Sequence, residues 1–243
     1  MQNMDEFVAR YVIMTKLRVN DIDDIMMIIA NCADITMILL DAIYIYPLRE
    51  YESLYMTIYN DYEIDTKRIY YKHTILTLVA SRSYYKFVEL LISDNDVDVN
   101  HIGSCAVGPV GITLCNAIKF NKNGEINEIA EKSDMLIKLM ESGRYDVEYR
   151  TIFGYTLLHS AVKFPDVVRY ICKRYPHMIN AVSDDNITPL IIACIYGWRA
   201  SAKILMECPE CDPTIGSYSG KSAYELVQNR MPIISKMIEQ RRI

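Results

Sequence analysis

Apolar positions along this chain fall into two alternating patterns. The first is a short segment that opens on a hydroxyl residue and carries a compact apolar face containing a small residue. It occurs as Thr74-Ile75-Leu76-Thr77-Leu78-Val79-Ala80, Thr113-Leu114-Cys115-Asn116-Ala117, Thr156-Leu157-Leu158-His159-Ser160-Ala161, Thr188-Pro189-Leu190-Ile191-Ile192-Ala193-Cys194 and Ser222-Ala223-Tyr224-Glu225-Leu226. The second is a stripe at helical spacing: Phe87, Val88, Leu90, Leu91 and Ile92; Met135, Leu136, Ile137, Leu139 and Met140; Val167, Val168, Tyr170 and Ile171; Ala202, Ile204, Leu205 and Met206. Both predict helices. At Thr188 the hydroxyl suits an N-cap, Pro189 suits the first helical position, and Gly197 suits the turn that ends the helix. Ala117, Ala161 and Ala193 allow neighbouring helices to approach closely.

Residues 1–70 lack the hydroxyl-led segment but are also patterned for helices. Phe7, Val8, Tyr11, Val12 and Met14 share one face. Ile22, Ile25, Met26, Ile28 and Ile29 share another, after a candidate cap at Asn20. Two more predicted helices run from Ile35 to Tyr46 and from Tyr51 to Tyr59, separated by Pro47.

The opening hydroxyl residues Thr74, Thr113, Thr156, Thr188 and Ser222 are 39, 43, 32 and 34 residues apart. A step of about 33 with T-P-L-H-x-A chemistry is the mark of the ankyrin repeat, and over roughly residues 70–243 the chain resembles an ankyrin-repeat protein. The resemblance implies an all-α fold, a solenoid of paired antiparallel helices with hairpin-like loops. About four repeats plus a C-terminal cap are expected, starting near residues 71, 110, 153, 185 and 219. Residues 1–70 are then a helical N-terminal cap or a pair of eroded repeats, since an uncovered first repeat would leave its apolar face in water. Glu141-Ser142-Gly143 resembles the family's turn after the second helix, and Asp98-Val99-Asn100 the loop that follows it. The copies are degenerate. Only Thr188 is followed by Pro, only Thr156 is followed by His at the family's place, and copy three has Pro165 but no inter-helix Gly. An insertion at 121–132 interrupts copy two and is expected to lengthen a helix or form an exposed loop.

Composition narrows the functional classes. With 51% hydrophobic residues, long disordered stretches are disfavoured. Nine Gly and eight Pro are few for an all-β sandwich. The net charge of −5 is uneven, with 12 acidic and 6 basic residues in 1–70. No Lys/Arg stripe suits phosphates, so nucleic-acid binding is not expected. The most apolar region, Ile25 to Leu48, is broken by Asp34 and Asp41, so no membrane span is expected. The opening residues are polar and acidic, unlike a signal peptide. The seven cysteines therefore read as reduced thiols in the cytoplasm or nucleus.

Candidate chemistry is sparse. Cys208-Pro209-Glu210-Cys211 has metal-ligand spacing but no second pair. His159 with Cys115 or Cys172 could form a base and a nucleophile; the resemblance instead gives His159 a hydrogen bond to backbone in the adjacent loop. Gly216 to Ser222 faintly resembles a phosphate loop, but its glycines are four apart rather than five. Asp184-Asp185 reads as a solvated turn. No catalytic residues, metal or cofactor are expected.

The resemblance places a protein partner on the concave face, at hairpin tips and at the ends of first helices. Large aromatic residues and Arg anchor such interfaces, which selects Arg82, Phe153, Phe164, Tyr196, Trp198 and Tyr218, and Lys163 joins them by its place at a first-helix end. A non-enzymatic module that binds another protein, itself a monomer, is the expected function. Two alternatives stay open. Degenerate repeats rich in Ile, Tyr, Asn, Asp and Lys resemble ankyrin proteins of large DNA viruses such as poxviruses and of parasitic protists, which implies an effector that sequesters a host signalling protein. An enzyme with a site around Asp21, Asp23 and Asp24 is the other.

Overall fold

The computed structural model describes residues 6–18, 21–101, 111 and 126–241. The chain divides into two compact units, Met1–Ala117 and Ile118–Ile243. Among the described residues the regular elements are helices, and extended pairing is confined to the isolated antiparallel bridges Tyr70–His73 and Tyr218–Lys221.

The first unit holds α1 (Glu6–Arg18), α2 (Ile22–Ile29), α3 (Ile35–Ile45), α4 (Glu52–Asp61), α5 (Ile75–Ser81) and α6 (Tyr85–Ser93). Neighbours in sequence pair as α1–α2, α3–α4 and α5–α6, while α3 packs on α5, α4 on α6, and α1 on α3. First helices thus stack on first helices. The cause is the width of the apolar stripe: Ile38, Leu39, Leu40, Ala42 and Ile43 of α3 are all buried, too many for one partner helix to cover. The cap of α2 is Asp21 rather than Asn20, its carboxylate accepting the Asp24 N–H at 3.4 Å. Asp34 caps α3 in the same way through the Met37 N–H at 3.0 Å. Thr74 and Thr77 form a reciprocal capping box at the start of α5. The buried Tyr84 at the start of α6 directs its hydroxyl to the carbonyls of Tyr46 and Leu48, at 3.3 and 3.2 Å, in the turn of the preceding pair.

The second unit holds α7 (Ile126–Glu141), α8 (Leu157–Ala161), α9 (Pro165–Arg174), α10 (Pro189–Tyr196), α11 (Arg199–Glu207), α12 (Ala223–Val227) and α13 (Pro232–Arg241). Here α8 packs on α10 and α10 on α12, while α7 packs on α9, α9 on α11 and α11 on α13. This is the pairing of an all-α repeat solenoid. The copy around Thr113 lies mostly outside the described residues. The insertion does so up to residue 125, and its remainder belongs to α7, which reaches 16 residues against 10 in α9. Thr188 accepts the Ile191 N–H at 3.2 Å, Pro189 occupies the first turn, and Gly197 takes the left-handed conformation at φ 74°. Ser222 and Glu225 form a capping box. At the C-terminal end, Arg241 of α13 donates to the carbonyls of Cys211, Met206 and Cys208 at 2.5, 2.7 and 2.8 Å, tying α13 to the end of α11 and the turn after it.

Candidate protein-interaction surface

Each described first helix with a hydroxyl cap is preceded by a tight loop. Tyr70 and His73 close one, with Tyr71 and Lys72 at φ 42° and 76°. Tyr218 and Lys221 close another, with Ser219 and Gly220 at φ 51° and 75°. Two successive positive φ values give the twist that suits a two-residue hairpin. Before α8 the Thr151 N–H donates to Tyr155 O at 2.9 Å, and before α10 the Ser183 N–H donates to Ile187 O at 2.9 Å.

In the second unit these tips are bonded to one another. The Asp184 N–H donates to Phe153 O at 3.1 Å, and the Ser217 N–H donates to Asn186 O at 2.8 Å. Arg150 braces the same join, giving its guanidinium to Gly154 O at 3.1 Å and Val182 O at 3.0 Å. His159 ties α8 to the next tip. Its Nδ1 accepts the Thr156 N–H at 3.1 Å, so its proton is on Nε2, which donates to Ile187 O at 3.0 Å. Burial is the main reason its pKa falls to about 4, with Arg150 also lowering it, so the ring is neutral at pH 7.

Hydroxyl-capped short helices and longer second helices recur through this unit in step with the sequence, above a bonded row of tips that His159 braces once. The family model of ankyrin repeats matches residues 126–217, in 3 copies. Residues 126–217 are ankyrin repeats. The comparison with curated proteins found no match. Among solved structures, a chain from the complex described as Bd0816 predatory endopeptidase from Bdellovibrio bacteriovorus with immunity protein Bd3460 is similar. It has a TM-score of 0.60 and 16% identity, and the match covers 80% of this chain and 97% of that one. That likeness is one of fold.

Ankyrin tips and first-helix ends carry most of the exposed apolar side chains of the second unit: Ile152, Phe153, Val182, Tyr196 and Tyr218. Tyr196 is 66% exposed and stacks on Trp198, ring centroids 5.1 Å apart and 21° between planes. Gly197 between them makes the turn that brings the rings together. Trp198, the N-terminal residue flanking α11, is half-buried. Lys163 is half-buried and lies 5.5 Å over the Phe164 ring.

Phe164 does not belong to this surface. It is 0% exposed and precedes Pro165 in an extended conformation, with its N–H bonded to Ala161 O at 2.8 Å. Counting from the hydroxyl cap aligns Phe164 with Tyr196. Copy three has no inter-helix Gly and α8 ends at Ala161, so Phe164 instead occupies the place before the second helix held by Trp198 and, in the first unit, Tyr84.

The first unit has a surface cluster that its sequence did not announce. Tyr44, at the end of α3, stacks on Tyr71 of the Tyr70–His73 tip with centroids 5.0 Å apart and planes 17° apart. Arg82 lies over the Tyr44 ring at 5.3 Å and donates to Tyr44 O at 3.0 Å. Tyr70 meets both tyrosine rings edge-on and gives its hydroxyl to the buried Asp41 carboxylate. Arg82, chosen from the sequence, is thus the half-buried cation of an aromatic column whose exposed end is Tyr71.

Neither histidine nor thiol assembles a reaction centre among the described residues, and no group of three His, Cys, Asp or Glu side chains there could hold a metal ion. Cys208 and Cys211 sit in a turn, with Cys208 Sγ against Ile204 O at 3.2 Å. Cys172 and Cys208 share a side-chain hydrogen bond beside a cleft of about 290 Å³ on the second-helix side. Burial pushes both thiols up, and carries Cys194 and Cys211 to about 12, away from the thiolate a nucleophile needs. Among the described residues no helix is long and apolar enough to cross a membrane.

Proposed function

We propose that the chain is a non-enzymatic interaction module that binds a partner protein along the hairpin tips and first-helix ends of its ankyrin repeats. The observation that carries this is the concentration of exposed large apolar side chains on bonded, rigid tips, where Ile152, Phe153, Val182, Tyr196 and Tyr218 lie in water with no fold-level reason to do so. Rigid aromatic anchors lose little side-chain freedom on binding, so their area converts efficiently into affinity. The similar solved structure comes from a complex between two proteins, which agrees with this use of the fold. Helices α1–α4 follow the same first-on-first stacking as α5 and α6, which supports reading them as two eroded repeats rather than a foreign cap. On that reading Tyr44 and Tyr71 join Arg82 among the anchors.

The test is capture from a lysate on the whole chain and on a Phe153→Ser, Tyr196→Ala, Tyr218→Ala variant whose helicity matches the parent. Proteins retained by the parent and lost on the variant are the expected result. Identical sets on both baits would refute the assignment of the surface.

A further inference from the structure

Two arginines tie the last two inter-helix turns together. Arg230, in the turn between α12 and α13, donates to Ile195 O at 3.4 Å, and Arg199, in the turn between α10 and α11, donates to Arg230 O at 3.3 Å. The first turn carries the Tyr196–Trp198 stack, centroids 5.1 Å apart, and the second carries Ile233, which is 68% exposed. Residues 195–200 and 228–233 thus form one joined surface at the first-helix ends, opposite the hairpin tips.

The charge of that surface is positive. Neither 195–200 nor 228–233 contains an Asp or Glu. Arg199 and Arg230 are both exposed, and neither has a carboxylate partner among the described residues. Each guanidinium uses one N–H on a backbone carbonyl and keeps the rest of its donor fork open. The adjoining turn, 162–166, adds Lys163 and one acid, Asp166. The acids on the helices that leave this surface are engaged elsewhere. Glu225 is bonded to Ser222 at the other end of α12, Glu207 pairs with Lys203 along α11, and Glu239 accepts from Tyr224 on α13.

We infer that the joined turns receive an acidic segment of the partner, its carboxylates on Arg199 and Arg230 and its apolar side chains on Tyr196 and Ile233. The inference rests on the protein-binding function proposed above and gives the partner its chemistry. The planar fork of Arg matches a carboxylate in two-point contact. A neutral apolar segment would take water from the guanidiniums without compensation, and a basic one would meet them with like charge.

The test is selection from a random 12-residue peptide library displayed on phage, with the whole chain as bait. The enriched sequences are expected to contain Asp or Glu above the input frequency. A synthetic copy of an enriched peptide should change the emission of Trp198, the one tryptophan in the chain. An Arg199→Gln, Arg230→Gln variant of parental helicity should bind it about tenfold more weakly or worse, and so should the parent with a peptide whose Glu residues are replaced by Gln, a change that leaves the protein untouched. Enrichment of neutral or basic sequences, or an acidic peptide indifferent to the loss of both arginines, would overturn the acidic assignment while leaving peptide binding standing. No enrichment on a bait of native helicity would overturn both.

Discussion

The backbone N–H of Asp184 donates to the carbonyl of Phe153 at 3.1 Å, joining the tips of two successive repeats. The join depends on Gly154. Its φ is +74°, and a Cβ there would lie 2.6 Å from Asp184 Oδ1 and 2.9 Å from Asp184 N. Gly154→Ala is expected to destabilise by about 2 kcal/mol or more, the left-handed penalty plus displacement of the neighbouring tip. Gly220 has the same backbone conformation, φ +75°, with nothing within 4 Å of its Cβ position. Gly220→Ala should therefore cost only the conformational part, about 1–2 kcal/mol. Urea unfolding of the two variants measures the difference, and equal losses would remove the tip-to-tip clash from the explanation.

His159 makes stability depend on pH. In the folded chain burial holds its pKa near 4, below the unfolded value of 6.5. The unfolded state therefore binds more protons between these values, and stability must fall as pH drops from 6.5 toward 4. The loss at pH 4 relative to pH 7 is about 3 kcal/mol. A His159→Gln variant should be less stable at pH 7 and should lack this part of the acid dependence. Parallel stability–pH curves for parent and variant would show that another group is responsible.

How far the sequence disclosed the fold depended on how local the signal was. Thr188, Pro189 and Gly197 cap, start and end one helix within ten residues, so pattern and structure agree there. The His159 strut was legible for the same reason, through Thr156 and the repeat step. Phe164 was misplaced because its environment is set by where α8 stops, and a missing glycine moves that point without altering the apolar spacing. The Tyr44–Tyr71–Arg82 column was invisible because its members come from the end of one helix, a tip and the end of the next helix, before any clear motif. Only stacking of α3 on α5 brings them together.

Phe164 and Tyr196 should therefore separate stability from recognition. Phe164→Ala empties a fully buried site and is expected to cost about 3–5 kcal/mol. Tyr196→Ala removes a mostly exposed ring, so stability should change by about 0.5 kcal/mol or less while partner binding falls. Thermal unfolding beside a binding assay gives both values. A strong destabilisation by Tyr196→Ala would mean that the ring is part of the core.

Arg241 should hold the last helix pair in place. Its guanidinium meets three carbonyls from the end of α11 and the following turn, a fork that an ammonium cannot reproduce. Arg241→Ala is expected to lose about 1–2 kcal/mol, with little recovery in Arg241→Lys. Hydrogen exchange of α12 and α13 should quicken in both variants, and unchanged exchange would show that the contact contributes nothing.

The most direct measurement compares partner affinity for two folded variants of the whole chain. One carries Phe153→Ser, Tyr196→Ala and Tyr218→Ala on the tips and first-helix end. The other carries Arg169→Ala, Lys173→Ala and Glu207→Ala on the second-helix side, around the cleft beside Cys172. Affinity for the partner is expected to fall by at least about a hundredfold in the tip variant, from the loss of three anchors, and to stay within about threefold of the parent in the other. Full affinity in the tip variant, with loss in the second-helix variant, would contradict the assignment of function to the tips.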